Sequence, residues 1–163
     1  MAGIALYPRC AEPRLIEALA DSPVVLIHGP RQSGKTTLAR VVGARLGYTY
    51  VNRDDEVARG GAEADPAGFV ADLPERVILD EVQRVPELLL AIKRSVDEAR
   101  IPGRFVLTGS AHLLLHAHLG ETLAGRAAHL VLWPMTRREQ RGLGRAGLWG
   151  ELLALPLEAW PSF

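Results

Sequence analysis

The 163-residue sequence holds a single cysteine, Cys10, so no internal disulfide can form and a reducing compartment is the simpler setting. It also lacks an excess of either charge: 19 Lys and Arg offset 19 Asp and Glu. A formal net charge of zero removes any global attraction to nucleic acid or an anionic membrane and leaves only local patches. Long apolar runs are missing, since Val24–Ile27 and Leu113–Leu115 are far too short to cross a bilayer. Met1–Cys10 has neither the basic start nor the apolar stretch of a secretory signal. There is no internal repeat and no low-complexity segment. Together these absences lead to the expectation of a soluble, cytoplasmic protein with no membrane partner.

What is present suits one folded domain: 48% of the residues are apolar and 23% charged. Leu15, Ile16 and Leu19 repeat at helical spacing in Glu12–Ala20, and Asp21-Ser22-Pro23 breaks that helix. Val24–Ile27 is the continuous apolar run of a strand buried on both faces. Lys35–Leu46 reads as a helix ended by Gly47. Tyr48–Asn52 and Arg76–Leu79 read as further strands. Arg59-Gly60-Gly61 looks like a flexible connection, and Pro66–Leu73 like a short helix. Leu88, Leu89, Ile92 and Val96 place an amphipathic helix over Pro86–Arg100. Phe105–Thr108 is a fourth strand, Ala111–His118 a helix and His129–Leu132 a fifth strand. Alternating strands and helices predict an α/β fold with a parallel sheet, in which ligands bind beyond the carboxyl ends of the strands.

The chemistry-bearing residues fall at those ends. Gly29-Pro30-Arg31-Gln32-Ser33-Gly34-Lys35-Thr36 matches G-x-x-x-x-G-K-[ST] in full, after a strand and before a helix. In such a loop the backbone N–H groups and the helix N-terminus face phosphate oxygens. Gly34 permits close approach, Lys35 reaches the β- and γ-phosphates, and the Thr36 hydroxyl is placed to ligate magnesium. Thr37 completes the expected binding segment. Val77–Leu79 delivers Asp80 and Glu81 to a strand end, where Asp80 is the candidate magnesium carboxylate and Glu81 the candidate general base. A solvated turn is the plainer reading of the same pair.

Other residues carry weaker signals. Thr108 is the candidate that senses the γ-phosphate or orients water, whereas Ser110 suits a helix cap. Arg126 is a candidate for stabilising transferring charge, in cis or from a neighbouring subunit, against the plain reading of a surface arginine. Gln83 either positions water or is solvated. His112, His116 and His118 suggest a metal site, but Glu121 is the lone acid nearby, which favours exposed histidines. Arg137, Arg138, Arg141 and Arg145 form a basic run that suits nucleic acid or a protein partner, though a solvated helix face is commoner and Glu139 interrupts it.

The stretches GPRQSGKTTLAR (Gly29–Arg40), ILDEVQRVPELL (Ile78–Leu89), GRFVLTGSAHLLL (Gly103–Leu115) and ETLAGRAAHLVLWPMTRRE (Glu121–Glu139) together resemble prokaryotic AAA-type ATP-binding proteins, which usually carry a second, C-terminal domain. The resemblance runs from about Arg9 to Glu139. It implies a three-layer α/β/α P-loop NTPase with a mostly parallel five-stranded sheet ordered 5-1-4-3-2, and ATP hydrolysis or ATP-dependent switching with magnesium. It maps the family's loop, acidic and polar-sensor positions to Lys35–Thr36, Asp80–Glu81 and Thr108–Ser110. A homo-oligomer and an unidentified protein partner are open expectations. His112 stands where the family often has Asn. The expected division is an ATPase domain over residues 1–145 and a tail over 146–163, with the family's second domain absent, as in a truncated product or a short natural version. Two other readings stay open: a P-loop small-molecule kinase, and a nucleotide-binding interaction module with little turnover. The tandem Asp80-Glu81 favours water as acceptor over the kinase.

Overall fold

Strands buried on both faces organise the molecule into three layers. The computed structural model describes residues 7–51, 56–110 and 122–143, with side chains in the second stretch described from residue 60 onward. Strands β1 (Val24–Gly29), β2 (Thr49–Val51), β3 (Val77–Leu79), β4 (Phe105–Ser110) and β5 (Ala127–Val131) form one sheet ordered β2-β3-β4-β1-β5. Every pairing in it is parallel. This is the order 5-1-4-3-2 read from the other edge, and the sheet is wholly rather than mostly parallel.

Successive strand residues point to opposite faces, so each strand feeds two cores. Val24, Leu26, Val77, Leu79, Phe105 and Leu107 join one cluster, with Leu88, Ile92 and Val96 of helix α5 (Glu87–Glu98) over them. Val25, Ile27, Ile78 and Val106 join the other, against helix α1 (Glu12–Asp21) and helix α2 (Lys35–Leu46) through Leu15, Leu19, Leu38 and Val42. Continuous burial of Val24–Gly29 is thus what a central strand with helices on both sides requires.

Two expectations need adjustment. The stretch Arg59–Gly61 is not a flexible connection: it lies within helix α3 (Glu56–Ala64). Ala62 is fully buried in the first core, and that packing outweighs the poor helix propensity of two adjacent glycines. Strand β2 is also shorter than Tyr48–Asn52. Helix α4 (Pro66–Ala71) starts at a proline, with the Asp65 carboxylate accepting from the Gly68 N–H at 2.9 Å. The expected helix Ala111–His118, the three histidines on it, and Arg145 lie outside the described residues. The last described helix is α6 (Arg137–Gln140).

Candidate phosphate-binding site

The loop between β1 and α2 leaves the sheet at Gly29 with φ +151°. A Cβ there would lie 2.2 Å from the Leu132 carbonyl oxygen, so only glycine lets the loop start against the end of β5. Gly34, at φ +90°, opens helix α2. Lys35 follows, buried, with its ammonium donating to the Pro30 carbonyl at 2.8 Å and the Gly29 carbonyl at 3.2 Å. The ammonium is thereby held inside the curve of the loop.

Thr36, the next helical residue, donates its hydroxyl to the Asp80 carboxylate, 3.0 and 3.1 Å from the two oxygens. Asp80 follows β3 and is 6% exposed. Such burial of a carboxylate requires several donors, and it has them. Tyr50 of β2 donates at 2.7 Å, and Thr108 of β4 donates to Oδ1. Glu81 takes a left-handed backbone, φ +52° and ψ +48°, which is uncommon for a residue other than glycine. Its N–H donates to the Thr108 hydroxyl at 3.2 Å, and its carboxylate accepts from the Gln83 amide. Gln83 lies in the single 3₁₀ turn Val82–Arg84, and its Oε1 is buried with no partner among the described residues.

One cleft of about 880 Å³ is lined by loop residues from Pro30 to Thr37 except Ser33, and by Asp80, Glu81, Gln83, Arg84 and Ser110. Arg31 and Gln32 are exposed on its rim, Gln32 with φ +60°. The residues present fit a magnesium nucleotide. A hydroxyl and a carboxylate in contact are hard oxygen donors of the kind magnesium takes one or two at a time beside phosphate. Among the described residues no group of three His, Cys, Asp or Glu side chains could hold a metal ion unaided.

Two predicted positions are not where the sequence pattern suggested. Thr108 is fully buried and does not border the cleft. It lies one step beyond the Leu79–Leu107 pair, hence beside Asp80, and its hydroxyl joins Asp80 to the Glu81 backbone. Ser110, two residues on, is the β4 hydroxyl residue that lines the cleft. Arg126 is at the other end of the sheet. It precedes Ala127, which pairs with Val24, the first residue of β1. The loop begins five residues along that strand, roughly 17 Å away. Arg126 is instead in a two-pronged ion pair with Asp97, at 2.5 and 3.0 Å, which holds the Asp97 carboxyl below its usual pKa. The parallel register thus places Arg126 at the end of the sheet opposite the loop of its own chain.

The structure adds residues that the sequence pattern did not single out. Arg9 is buried and divides its guanidinium among Glu139 Oε1 at 3.0 Å, the Ser33 carbonyl at 2.7 Å and the Trp133 carbonyl at 2.7 Å. Glu139, read above as an interruption in a basic run, is 3% exposed. It accepts from the Cys10 and Thr136 backbone N–H groups, both at 2.8 Å, and closes a capping box with Thr136. Burial pushes its carboxyl up, but these N–H groups and the Arg9 guanidinium win and hold it below the usual carboxylate range. Thr136-x-x-Glu139 fits the capping-box pattern, so half of this arrangement had a sequence signal. His28, just before the loop, is buried with its ring edge-on to His129, centroids 5.9 Å apart. Burial first, then His129 and Lys35, lower its pKa.

The model of the AAA domain family matches residues 21–140, most of the chain and all of the loop-to-β5 frame. The chain belongs to the AAA domain family. Uncharacterized proteins of Mycobacterium tuberculosis and Mycobacterium bovis are each 37% identical to this AAA domain over 141 residues, covering 86% of the chain. The chain spans about a third, 32%, of their length. Among solved structures, a Walker-type ATPase of Pyrococcus abyssi aligns with TM-score 0.58 and 19% identity, over 82% of this chain and 58% of that one. AMPPCP-bound DnaA from Aquifex aeolicus aligns with TM-score 0.57 and 17% identity, over 94% of this chain and 53% of that one. These likenesses establish a P-loop NTPase fold for this AAA domain. No helix among its described residues is long and apolar enough to cross a membrane.

Proposed function

We propose that this AAA domain binds ATP with magnesium and hydrolyses it. The contact between the Thr36 hydroxyl and the Asp80 carboxylate carries the reading, because it joins the phosphate loop to the acidic strand end in one cleft. The chemistry a magnesium ion would supply here is positive charge to offset the negative charge that develops during phosphoryl transfer. Thr36 and Asp80 are the residues that would hold the ion. Tyr50 and Thr108 keep the Asp80 carboxylate oriented. Lys35 brings its ammonium to the β- and γ-phosphates, exchanging loop carbonyls for phosphate oxygens.

Glu81 accepts the proton of the attacking water. Its left-handed backbone turns it out of the strand line and into the cleft, and the Gln83 amide holds its carboxylate there. Water as acceptor requires a base beside the phosphate site, and Glu81 is the acid on the cleft wall not engaged with Thr36.

The test is phosphate release from ATP at excess protein, alongside binding of a fluorescent ATP analogue. Glu81→Gln should bind as wild type does and release phosphate slower by on the order of 100- to 10,000-fold. A variant that hydrolyses like wild type removes Glu81 from the role of base. Equal binding with no release from either protein makes the domain a nucleotide-dependent switch instead.

A further inference from the structure

The phosphate loop works by turning N–H groups inward, and each inward N–H forces a carbonyl outward. A peptide is planar and trans, so the carbonyl of one residue and the N–H of the next point to opposite sides. No cis peptide occurs among the described residues. An outward carbonyl in a buried place needs a donor. For the Ser33–Gly34 peptide that donor is Arg9, whose Nη1 lies 2.7 Å from the Ser33 oxygen. A Cβ on Gly34 would come within 3.0 Å of the same Nη1, so the guanidinium lies directly behind the loop. Gly34 lines the cleft on the other side.

Arg9 cannot swing freely to meet this carbonyl. Its Nε is fixed by Glu139 and its Nη2 by the Trp133 carbonyl. Glu139 is held in turn by the Cys10 and Thr136 N–H groups. The planar fork thus serves three acceptors in one fixed orientation, something a lysine ammonium on a flexible stem does poorly. The ion pair joins residues 130 positions apart in sequence, from the segment before α1 and from α6. Neither belongs to the phosphate-loop motif or to the acidic strand end.

We propose that Arg9, braced by Glu139, is a positioning residue for nucleotide binding: it holds the Ser33–Gly34 peptide with its N–H toward the phosphates. The inference rests on the phosphate-binding reading above. It makes triphosphate affinity depend on α6 being docked, although no α6 side chain lines the cleft. Without Arg9, the buried Ser33 carbonyl loses its donor and the peptide can turn, presenting oxygen rather than N–H to an anion.

Binding of a fluorescent ATP analogue to the full chain tests this, with Arg9→Met, Arg9→Lys, Glu139→Gln and Lys35→Ala beside wild type and thermal unfolding as the check on folding. Arg9→Met should weaken binding by about 10- to 100-fold, the size expected for one lost charge-assisted hydrogen bond at the site. Arg9→Lys should recover part of that loss. Glu139→Gln retains a capping-box residue type and should fall between wild type and Arg9→Met. A spectroscopic readout separates positioning from stability: in glycine-labelled protein the Gly34 amide resonance should shift with pyrophosphate in wild type and fail to shift in Arg9→Met. If Arg9→Met does not fold, Glu139→Gln carries the test by the same two readouts. A folded Arg9→Met or Glu139→Gln that binds like wild type, with a normal Gly34 response, overturns the proposal. In that case a loss in Lys35→Ala leaves the phosphate site standing. If wild type and Lys35→Ala bind equally poorly, the phosphate-binding reading itself has failed.

Discussion

The two ends of the sheet treat charge differently. At the carboxyl end, Lys35, Asp80, Arg9 and Glu139 are buried, and each meets two or more partners. At the amino end, Arg126 and Asp97 form a closer pair that stands largely in solvent. A short ion pair in water gains little, because solvent already stabilised both charges and salt screens what remains. A buried charge with one partner removed keeps its desolvation cost, so every bond at the carboxyl end is costly to lose. A second, smaller cleft at the amino end contains Arg100 and Arg126, yet both guanidiniums are engaged by the Gly125 carbonyl and Asp97 respectively.

The sharpest way to break the contrast is at Lys35. Lys35→Ala removes the one buried cation inside the loop, and triphosphate affinity should fall by on the order of 100-fold or more. Titration of the folded variant with a fluorescent ATP analogue measures it, and unchanged affinity would end the phosphate-loop assignment. Asp80→Asn should weaken binding less, and only where magnesium is present, because what it loses is a carboxylate for the metal. Titrations with magnesium and with a chelator separate the two conditions.

Thr108→Val tests a residue that acts behind the site. It removes the hydroxyl that links Asp80 to the Glu81 backbone and leaves a buried carboxylate one donor short. Unfolding stability should drop by about 1–3 kcal/mol, with a slower phosphate release than wild type. Urea denaturation and single-turnover assays check both, and a stable variant with full activity would return Thr108 to plain core packing.

His28 makes the contrast depend on pH. Its folded-state pKa is lowered from 6.5, so the native protein resists its protonation more than the unfolded chain does. Its contribution is therefore complete above about 6.5 and is lost as pH falls through the lower folded value. Urea midpoints between pH 7.5 and pH 5, on the order of that window, should fall for wild type and fall less for His28→Gln. Equal slopes would mean that His28 titrates alike in both states. Glu139, also lowered, loses its contribution only below about 4.5, outside that range.

The smallest effect is expected at Arg126. Arg126→Ala should leave ATP affinity and single-turnover hydrolysis unchanged, since its partner is Asp97 at the far end of the strands. Specific activity that rises with wild-type concentration and is lost in the variant would restore a role for Arg126, supplied by a neighbouring copy.

Several features were legible because short-range chemistry dictates them. The loop from Gly29 to Thr36 needs glycine, lysine and a hydroxyl at set spacing, whatever the rest of the chain does. Continuous apolar strands broken by amphipathic helices already implied a parallel sheet with two covered faces, and the strand order followed from the family resemblance. Three features depended on register and packing between distant segments. The pairing of β3 with β4 decided that Thr108 sits behind Asp80 while Ser110 lines the cleft. The parallel pairing of β1 with β5 placed Arg126 at the end opposite the loop. Burial of α6 against the segment before α1 turned Glu139 from one acid in a basic run into the brace of Arg9. Spacing along the chain constrains neighbours within a few residues. Residues 130 positions apart acquire a relationship only when the core fixes both, and that relationship is electrostatically costly to break because the core has also taken away their water.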